Sequence, residues 1–449
     1  MSKFEFKKLN ELCNKITDGS HYSPVGIENG IPMLSVKDML DNGFSYNDCK
    51  FVSIKDYLDM VRSNCKPLKG DVLIAKDGSY LKHVFVIKEE IDQAVLSSIG
   101  ILRPNQKIIY PEYLKYYLQT ASVKQTVSKK YVSGSALPRI ILKNFGEIDV
   151  IYRNLIEQNK IASVLSSLDS KIELNNRINA ELEQMAKTIY DYWFVQFDFP
   201  ISAEYAVSVG QPELEGKPFK SSGGRMVWSG ELKREVPEGW EVKKLHQIVS
   251  VKKDILQTNN LFNDTAYIGL EHIPRKSFTL STWEIVNKID SAKFKFEKHD
   301  ILFGKIRPYF HKVGICLTSG ITSVDCIVLR PKNEEYKGLI LQTVFSDEFV
   351  DVATNSSTGS KMPRADWNIL KDYFVINPNN DLLRKFNNFS NNIFETMGNL
   401  VSENQKLTEL RDWLLPMLMN GQVKVGDEEE DGVMGMAAEG MEAYKVRGE

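Results

Sequence analysis

Two Glu-x-Lys triplets, Glu5-Phe6-Lys7 and Glu241-Val242-Lys243, and six histidines come nearest to a catalytic arrangement in this chain. Glu-x-Lys is half of a metal-dependent nuclease site, which also needs an upstream Asp as cation ligand. The first triplet lies too near the start to have one, and no Asp falls between Asp198 and Asp254 ahead of the second. Both read better as charged edges of a repeated strand. His21, His83, His246, His272, His299 and His311 never fall at a metal-ligand spacing such as i, i+4. The run from Gly210 to Gly216-Lys217 fails as a phosphate loop, being one residue too long and carrying Pro218 where Ser or Thr is needed. Asn377-Pro378-Asn379 lacks the second Pro and the aromatic of an amino-methyltransferase motif. These residues point away from catalysis, and no metal or cofactor of the chain's own is expected.

Length and composition set the frame that must carry any other chemistry. At 449 residues the chain can hold two or three domains, and 42% hydrophobic with 26% charged residues is ordinary for a globular protein. Cys13, Cys49, Cys65, Cys316 and Cys326 are odd in number and form no C-x-x-C, so they read as buried thiols. The start has no apolar signal core, and no apolar run approaches the ~18 residues of a membrane span, so a cytoplasmic protein is expected. Residues 1–152 hold 21 basic against 17 acidic side chains and residues 239–378 hold 19 against 16, an excess that permits contact with a polyanion.

The landmarks of the first 152 residues return after residue 239 in the same order. Phe4–Leu9 is echoed by Trp240–Leu245, Asp71–Lys76 by Asp300–Lys305, and Ile99–Pro104 by Cys326–Pro331. Gly134-Ser135-Ala136-Leu137-Pro138-Arg139 matches Gly359-Ser360-Lys361-Met362-Pro363-Arg364. Each half is followed by a heptad. Ile161, Leu165, Leu168, Ile172, Asn175, Asn179, Leu182, Ala186, Ile189 and Trp193 alternate in steps of four and three. Phe389, Ile393, Thr396, Leu400, Glu403, Leu407, Leu410, Leu414 and Met417 repeat that seam, with polar Asn175 and Glu403 at equivalent positions. Pro416 should kink or end the second helix, and Asn420-Gly421 should close it.

The expected fold is α+β, with two pseudo-twofold-related α/β domains separated by two long antiparallel coiled-coil helices. The expected divisions are a first domain 1–152, a helix 153–199, a linker or surface-laid arm 200–238, a second domain 239–378, a helix 379–425 and a disordered acidic tail 426–449. Because the two domains differ in most residues, they need not bind the same thing.

With these motifs in view, the sequence resembles the specificity (S) subunit of type I restriction-modification systems. The resemblance covers nearly the whole chain up to about Val425. It rests on Lys160–Asp169 with Lys171-Ile172 and Asn175-Asn176, on Tyr190–Phe197, on Lys217-Pro218-Phe219-Lys220 with Gly224, on Pro237–Trp240 and on Leu410–Pro416. Thr17-Asp18-Gly19-Ser20-His21 is similar to the family's D-G-[ST]-H turn, which the second domain lacks, so the two domains belong to different recognition subclasses. The resemblance implies a non-catalytic subunit that reads a bipartite, asymmetric double-stranded DNA target. It further implies two methyltransferase (M) subunits and motor-nuclease (R) subunits as partners, with S-adenosylmethionine, ATP and Mg bound by those partners.

For DNA contact the candidates are Ser20, His21, Lys76, Tyr80, Lys82, Ser135 and Arg139 in the first domain. In the second domain they are Lys305, Arg307, Tyr309, His311, Ser360, Lys361 and Arg364. Lys and Arg would meet phosphates or guanine edges, Tyr would pack on sugar or base, and the G-S-x-x-P-R loops would anchor phosphates. For helix pairing and subunit docking the candidates are the seam residues Ile161, Leu165, Leu168, Ile172, Asn175, Leu182, Trp193, Ile393, Leu400, Glu403, Leu407, Leu410 and Leu414. An apolar flank of Val164, Ile178, Met185 and Tyr192 joins them and would meet partner helices or the chain's own linker. The competing reading is a coiled-coil scaffold whose end domains bind proteins, which predicts no steep salt-dependent affinity for duplex DNA.

Overall fold

A computed structural model describes residues 4–78, 81–133, 138–256 and 261–426; the acidic tail beyond 426 lies outside the described residues. The chain forms two compact units, residues 1–171 with 406–449 and residues 172–405.

The same four-stranded antiparallel sheet is built in each unit. In the first, strands Cys13–Asp18, Ile99–Pro104, Val72–Ala75 and Val84–Val86 lie side by side in that order; in the second, Val249–Lys252, Cys326–Pro331, Ile301–Gly304 and Val313–Ile315 repeat it. Sequence explains why the third strand is apolar throughout. Val72 and Ile74 face one core while Leu73 and Ala75 face another, so both faces are covered and alternation disappears. Ile301 and Phe303 likewise face one core and Leu302 another. A carboxylate beside this strand closes both sheets. Asp71 accepts from Arg103 Nε and Nη2 at 2.9 and 2.8 Å, and Asp300 accepts from Arg330 Nε and Nη2 at 2.7 Å each. Both carboxylates also take a backbone amide three residues upstream, from Leu68 and Glu297 at 2.8 Å.

The Glu-x-Lys triplets are indeed strand edges, Glu5–Lys8 paired with Asp149–Tyr152 and Glu241–Lys244 paired with Phe374–Asn377. Helix pairs repeat too. Thr120 and Ser346 each end one helix and cap the next, accepting from the amides of Val123 and Phe349. The units differ in what is inserted around the common sheet. The first carries a three-stranded sheet of Ile31–Leu34, Lys50–Val52 and Ala94–Val95, and the second a five-stranded sheet that includes Leu261–Ile268, Lys293–Phe296 and Gly320–Ser323.

The first long helix spans Leu155–Tyr190 and runs on into a π turn, Asp191–Val195, which aims Phe194 at Phe386 with centroids 4.8 Å apart. Residues 200–238 pack onto the second unit, burying Ile201, Phe219 and Val236 in its main core. Gly224 is required there, because a Cβ would lie 2.5 Å from the Phe219 ring. The second long helix spans Asn380–Met419 and does not stop at Pro416. The ring removes only one late amide bond, while the last turn buries Leu418 and Met419 in the first unit's core and Arg153 donates to the Met419 carbonyl at 3.1 Å. Gly421, at φ 64°, then ends it.

Candidate nucleic-acid interface

Each common sheet delivers a short segment to the repeated Pro-Arg loop. Gly78 N–H donates to the Pro138 carbonyl at 2.8 Å and Ile140 N–H to Lys76 at 3.0 Å; Arg307 N–H donates to Pro363 at 2.7 Å and Ala365 N–H to Lys305 at 2.9 Å. The two loops thus share one backbone pattern. Gly78 and Arg307 occupy the same place in it, at φ 69° and 49°, so the second domain holds an Arg in the left-handed region where the first has a glycine.

In the first domain Lys76 is only 4% exposed, and its Nζ lies 2.6 Å from Asp18 Oδ2. Asp18 Oδ1 is 3.2 Å from Nε2 of exposed His21. Lys76 therefore braces the Asp-Gly-Ser-His turn from below instead of facing solvent. Gly19 is forced by close approach, since a Cβ there would lie 2.0 Å from the Val95 carbonyl oxygen. Ser20 Oγ donates to the Tyr22 carbonyl at 2.7 Å, tightening the same turn. Lys82 is exposed, and so is Arg139, with its Nε 3.0 Å from Asp77 Oδ1. Tyr80 and Ser135 lie outside the described residues.

In the second domain Ser360, Lys361 and Arg364 are exposed, and Arg364 Nε reaches to 3.6 Å from Asp325. Lys305 and Arg307 are half-buried; the Arg307 guanidinium donates to the Lys361 carbonyl at 3.3 Å. Tyr309 is half exposed, its ring meeting Phe310 edge-on at 4.9 Å. His311 is placed otherwise. It is 5% exposed, its Nε2 donates to the Phe345 carbonyl at 2.7 Å, and burial pulls its pKa below the ordinary imidazole value. Like Lys76 it holds the loop from inside. Arg275, which the sequence does not single out, lies 3.9 Å over the Phe310 ring; the adjacent cations Arg275-Lys276 after Pro274 are the one local signal for it. Among the described residues no three His, Cys, Asp or Glu side chains gather as a cation cage.

The sequence model of the type I restriction modification DNA specificity domain matches residues 1–184 and again 237–408. The chain belongs to this specificity-subunit family. It is similar to the HindI specificity subunit of Haemophilus influenzae, 25% identical over 455 residues covering 88% of this chain and 94% of that one. It is 24% identical to the MjaIX specificity subunit of Methanocaldococcus jannaschii, over 71% of this chain and 70% of that one. The crystal structure of an M. genitalium S subunit shares the fold, with a TM-score of 0.52 at 14% identity over 93% of this chain and 97% of that one. The Pro-Arg loops above therefore lie within the two stretches that match the type I DNA specificity domain.

The helix seam of this specificity subunit can be followed in each unit. In the first, Ile161 and Leu165 are buried with Leu418, Val164 and Leu414 pack beside them, and Leu168, Leu407 and Leu410 are half-buried. Asp169, part of the first sequence motif, collects Lys115 Nζ at 2.9 Å, Tyr116 Oη at 2.7 Å and Arg411 Nη1 at 3.1 Å. Burial pushes its carboxyl upward, but Lys115, Tyr116 and Arg411 outweigh that and hold it below the usual carboxylate range. In the second unit Leu182 and Trp193 pack against the core that buries Ile393, and Ile172, Ile178 and Leu400 are half-buried. Asn175 is fully buried and donates to Glu403 Oε2 at 2.7 Å and Asn404 Oδ1 at 2.8 Å, while Asn404 donates to Asn176 at 2.9 Å. Within the first unit Ile161 is buried with Leu418 and Asp169 bonds Arg411, so residue numbers rise along one helix as they fall along the other, as an antiparallel pair requires. Asn175 and Asn176 meet their own repeat equivalents, 228 residues on, because they stand at the middle of the pair. Met185 and Tyr192 stay exposed at 50% and 37%.

Proposed function

We propose that this specificity subunit reads a bipartite, asymmetric duplex DNA target with one half-site per domain, while doing no chemistry itself. The observation that carries the reading is the shared loop pattern. Two domains present an exposed Arg, Arg139 or Arg364, from the same backbone frame, yet surround it with different inserted sheets and different side chains. Equivalent frames place cations alike for phosphate contact, and unlike surroundings select unlike bases. The paired helices set the unread spacer, and the exposed Met185 and Tyr192 flank docks two methyltransferase subunits, with restriction subunits joining the full complex. S-adenosylmethionine, ATP and Mg belong to those partners. Among the described residues no helix is long and apolar enough to cross a membrane, and the working place of such a complex is the cytoplasm.

The test is single-molecule sequencing of DNA methylated by the complex of this chain with its methyltransferase. The expected result is one motif of two unlike halves around a fixed gap, together with binding that weakens steeply as salt rises. A continuous motif, or methylation by the purified chain alone, refutes the proposal.

A further inference from the structure

Arg275, Phe310 and Arg307 form a cluster on the second domain that the repeat does not account for. The Arg275 guanidinium lies 3.9 Å from the Phe310 centroid and that of Arg307 lies 5.9 Å from it. Neither guanidinium has an ion pair with a carboxylate among the described residues. Elsewhere in the chain Arg103, Arg330, Arg364, Arg384 and Arg411 all have one. Two like charges held on one ring without a counter-ion repel each other, and what the fold draws from them is the stacking on Phe310 and the one Arg307 bond to the Lys361 carbonyl.

Backbone strain converges on the same spot. Lys276, Arg307 and His311 are all non-glycine residues in the left-handed region, at φ 54°, 49° and 52°. They are tied together, because Lys276 N–H donates to the His311 carbonyl at 3.1 Å and His311 N–H to Pro308 at 2.8 Å. Each such residue is held in a region that L-residues other than glycine rarely adopt. The first domain satisfies the Arg307 position with Gly78, so the fold does not require an Arg there. Strain kept where a glycine would relieve it points to a side chain selected for what it reaches.

We propose that Arg275 and Arg307, with Phe310 as their stacking support, are a guanine-reading site: they donate to O6 and N7 of guanine in the major groove of the second half-site. Planar guanidinium forks match the paired acceptors of that edge, which a Lys ammonium does not. Phe310 holds the Arg275 plane flat and limits its rotamers, so less side-chain entropy is lost on contact. This inference rests on the half-site reading proposed above.

The experiment uses the full chain with its methyltransferase, acting on a randomised duplex library read by single-molecule sequencing. Arg275→Gln, an exposed substitution, should lower the preference for guanine at one position of the second half-site by roughly 5- to 150-fold and leave the first half-site unchanged. Arg307→Gly should do the same while raising thermal stability, because the strain is released. A second half-site without a G·C pair overturns the guanine site, as does an Arg275→Gln motif identical to the parent. A uniform loss across all sequences with a shallower salt dependence makes the pair phosphate anchors and overturns it as well. If the parent complex itself shows no two-part motif, the failure lies in the half-site reading and takes this inference with it.

Discussion

Replacing Arg330 by Met tests how the second domain holds the strand that delivers Lys305 and Arg307. Asp300 is 2% exposed and receives three hydrogen bonds, two of them from Arg330. Arg330→Met leaves the carboxylate buried with the Glu297 amide alone. Stranding one member of a buried ion pair costs about 3–5 kcal/mol. Arg330 is itself 23% exposed, so water can reach the vacated space, and the lower figure of about 3 kcal/mol is the expected one. Asp300→Asn should cost less, about 1–2 kcal/mol, because it removes the buried charge and keeps an acceptor for the amide. The Arg330 guanidinium left behind still has Glu297 at 2.9 Å. Five of the six tryptophans, Trp193, Trp228, Trp240, Trp283 and Trp367, lie in the second unit, so fluorescence-detected urea unfolding reports on it. With a slope of about 3 kcal/mol per molar, the Arg330→Met midpoint should fall by roughly 1 M and that of Asp300→Asn by less than roughly 0.7 M. Combining the two substitutions should recover part of the loss. The reasoning fails if Asp300→Asn is the more damaging change, or if Arg330→Met shifts the midpoint by less than roughly 0.3 M.

Three further outcomes are expected. Gly19→Ala forces a methyl group against the Val95 carbonyl, so methylation by the complex should lose its preference at the first half-site and keep that of the second. Acid should weaken the second unit. His299 and His311 both have pKa values below the ordinary imidazole value, chiefly through burial, so below pH ~6.5 the unfolded chain takes up protons that the folded chain refuses. The stability they contribute is present above that pH and lost as pH falls, and the fluorescence midpoint should drop between pH 7.5 and 5.5, less so in His311→Gln. Inserting four residues beside Asn175 and four beside Glu403 keeps their pairing, adds ~6 Å to both helices and should lengthen the methylated spacer by about two base pairs. The same insertion in the first helix alone should lose the Asn175–Glu403 bond and give no discrete longer spacer.

What the sequence makes legible here is what depends on near neighbours. The runs Val72–Ala75 and Ile301–Gly304 announce buried strands because both their faces are covered, and the step of 228 residues marks Asn175 and Glu403 as equivalent seam positions, though not that they bond to each other. The inserted sheets are not legible, since all their strands but Leu261–Ile268 run only two to five residues, as Ala94–Val95 and Lys293–Phe296 do, and carry no period long enough to detect. Among the candidate contacts, position after the strand correctly marks a loop but cannot say which way a side chain turns. Lys76 goes inward because Asp18 waits 58 residues upstream, and His311 goes inward because the Phe345 carbonyl lies 34 residues on. Arg275 is illegible for the same reason, its stacking partner being Phe310 in another loop.

Arg307 is the instructive case. In the sequence it is one more cation after a strand, equivalent to nothing, because its counterpart in the repeat is Gly78. Only the backbone shows that the two stand in one left-handed position, and that one domain took the residue the position favours while the other took an Arg against the local cost. A repeat aligned by residue type passes over that substitution; aligned by backbone, it marks where two copies of one frame diverge.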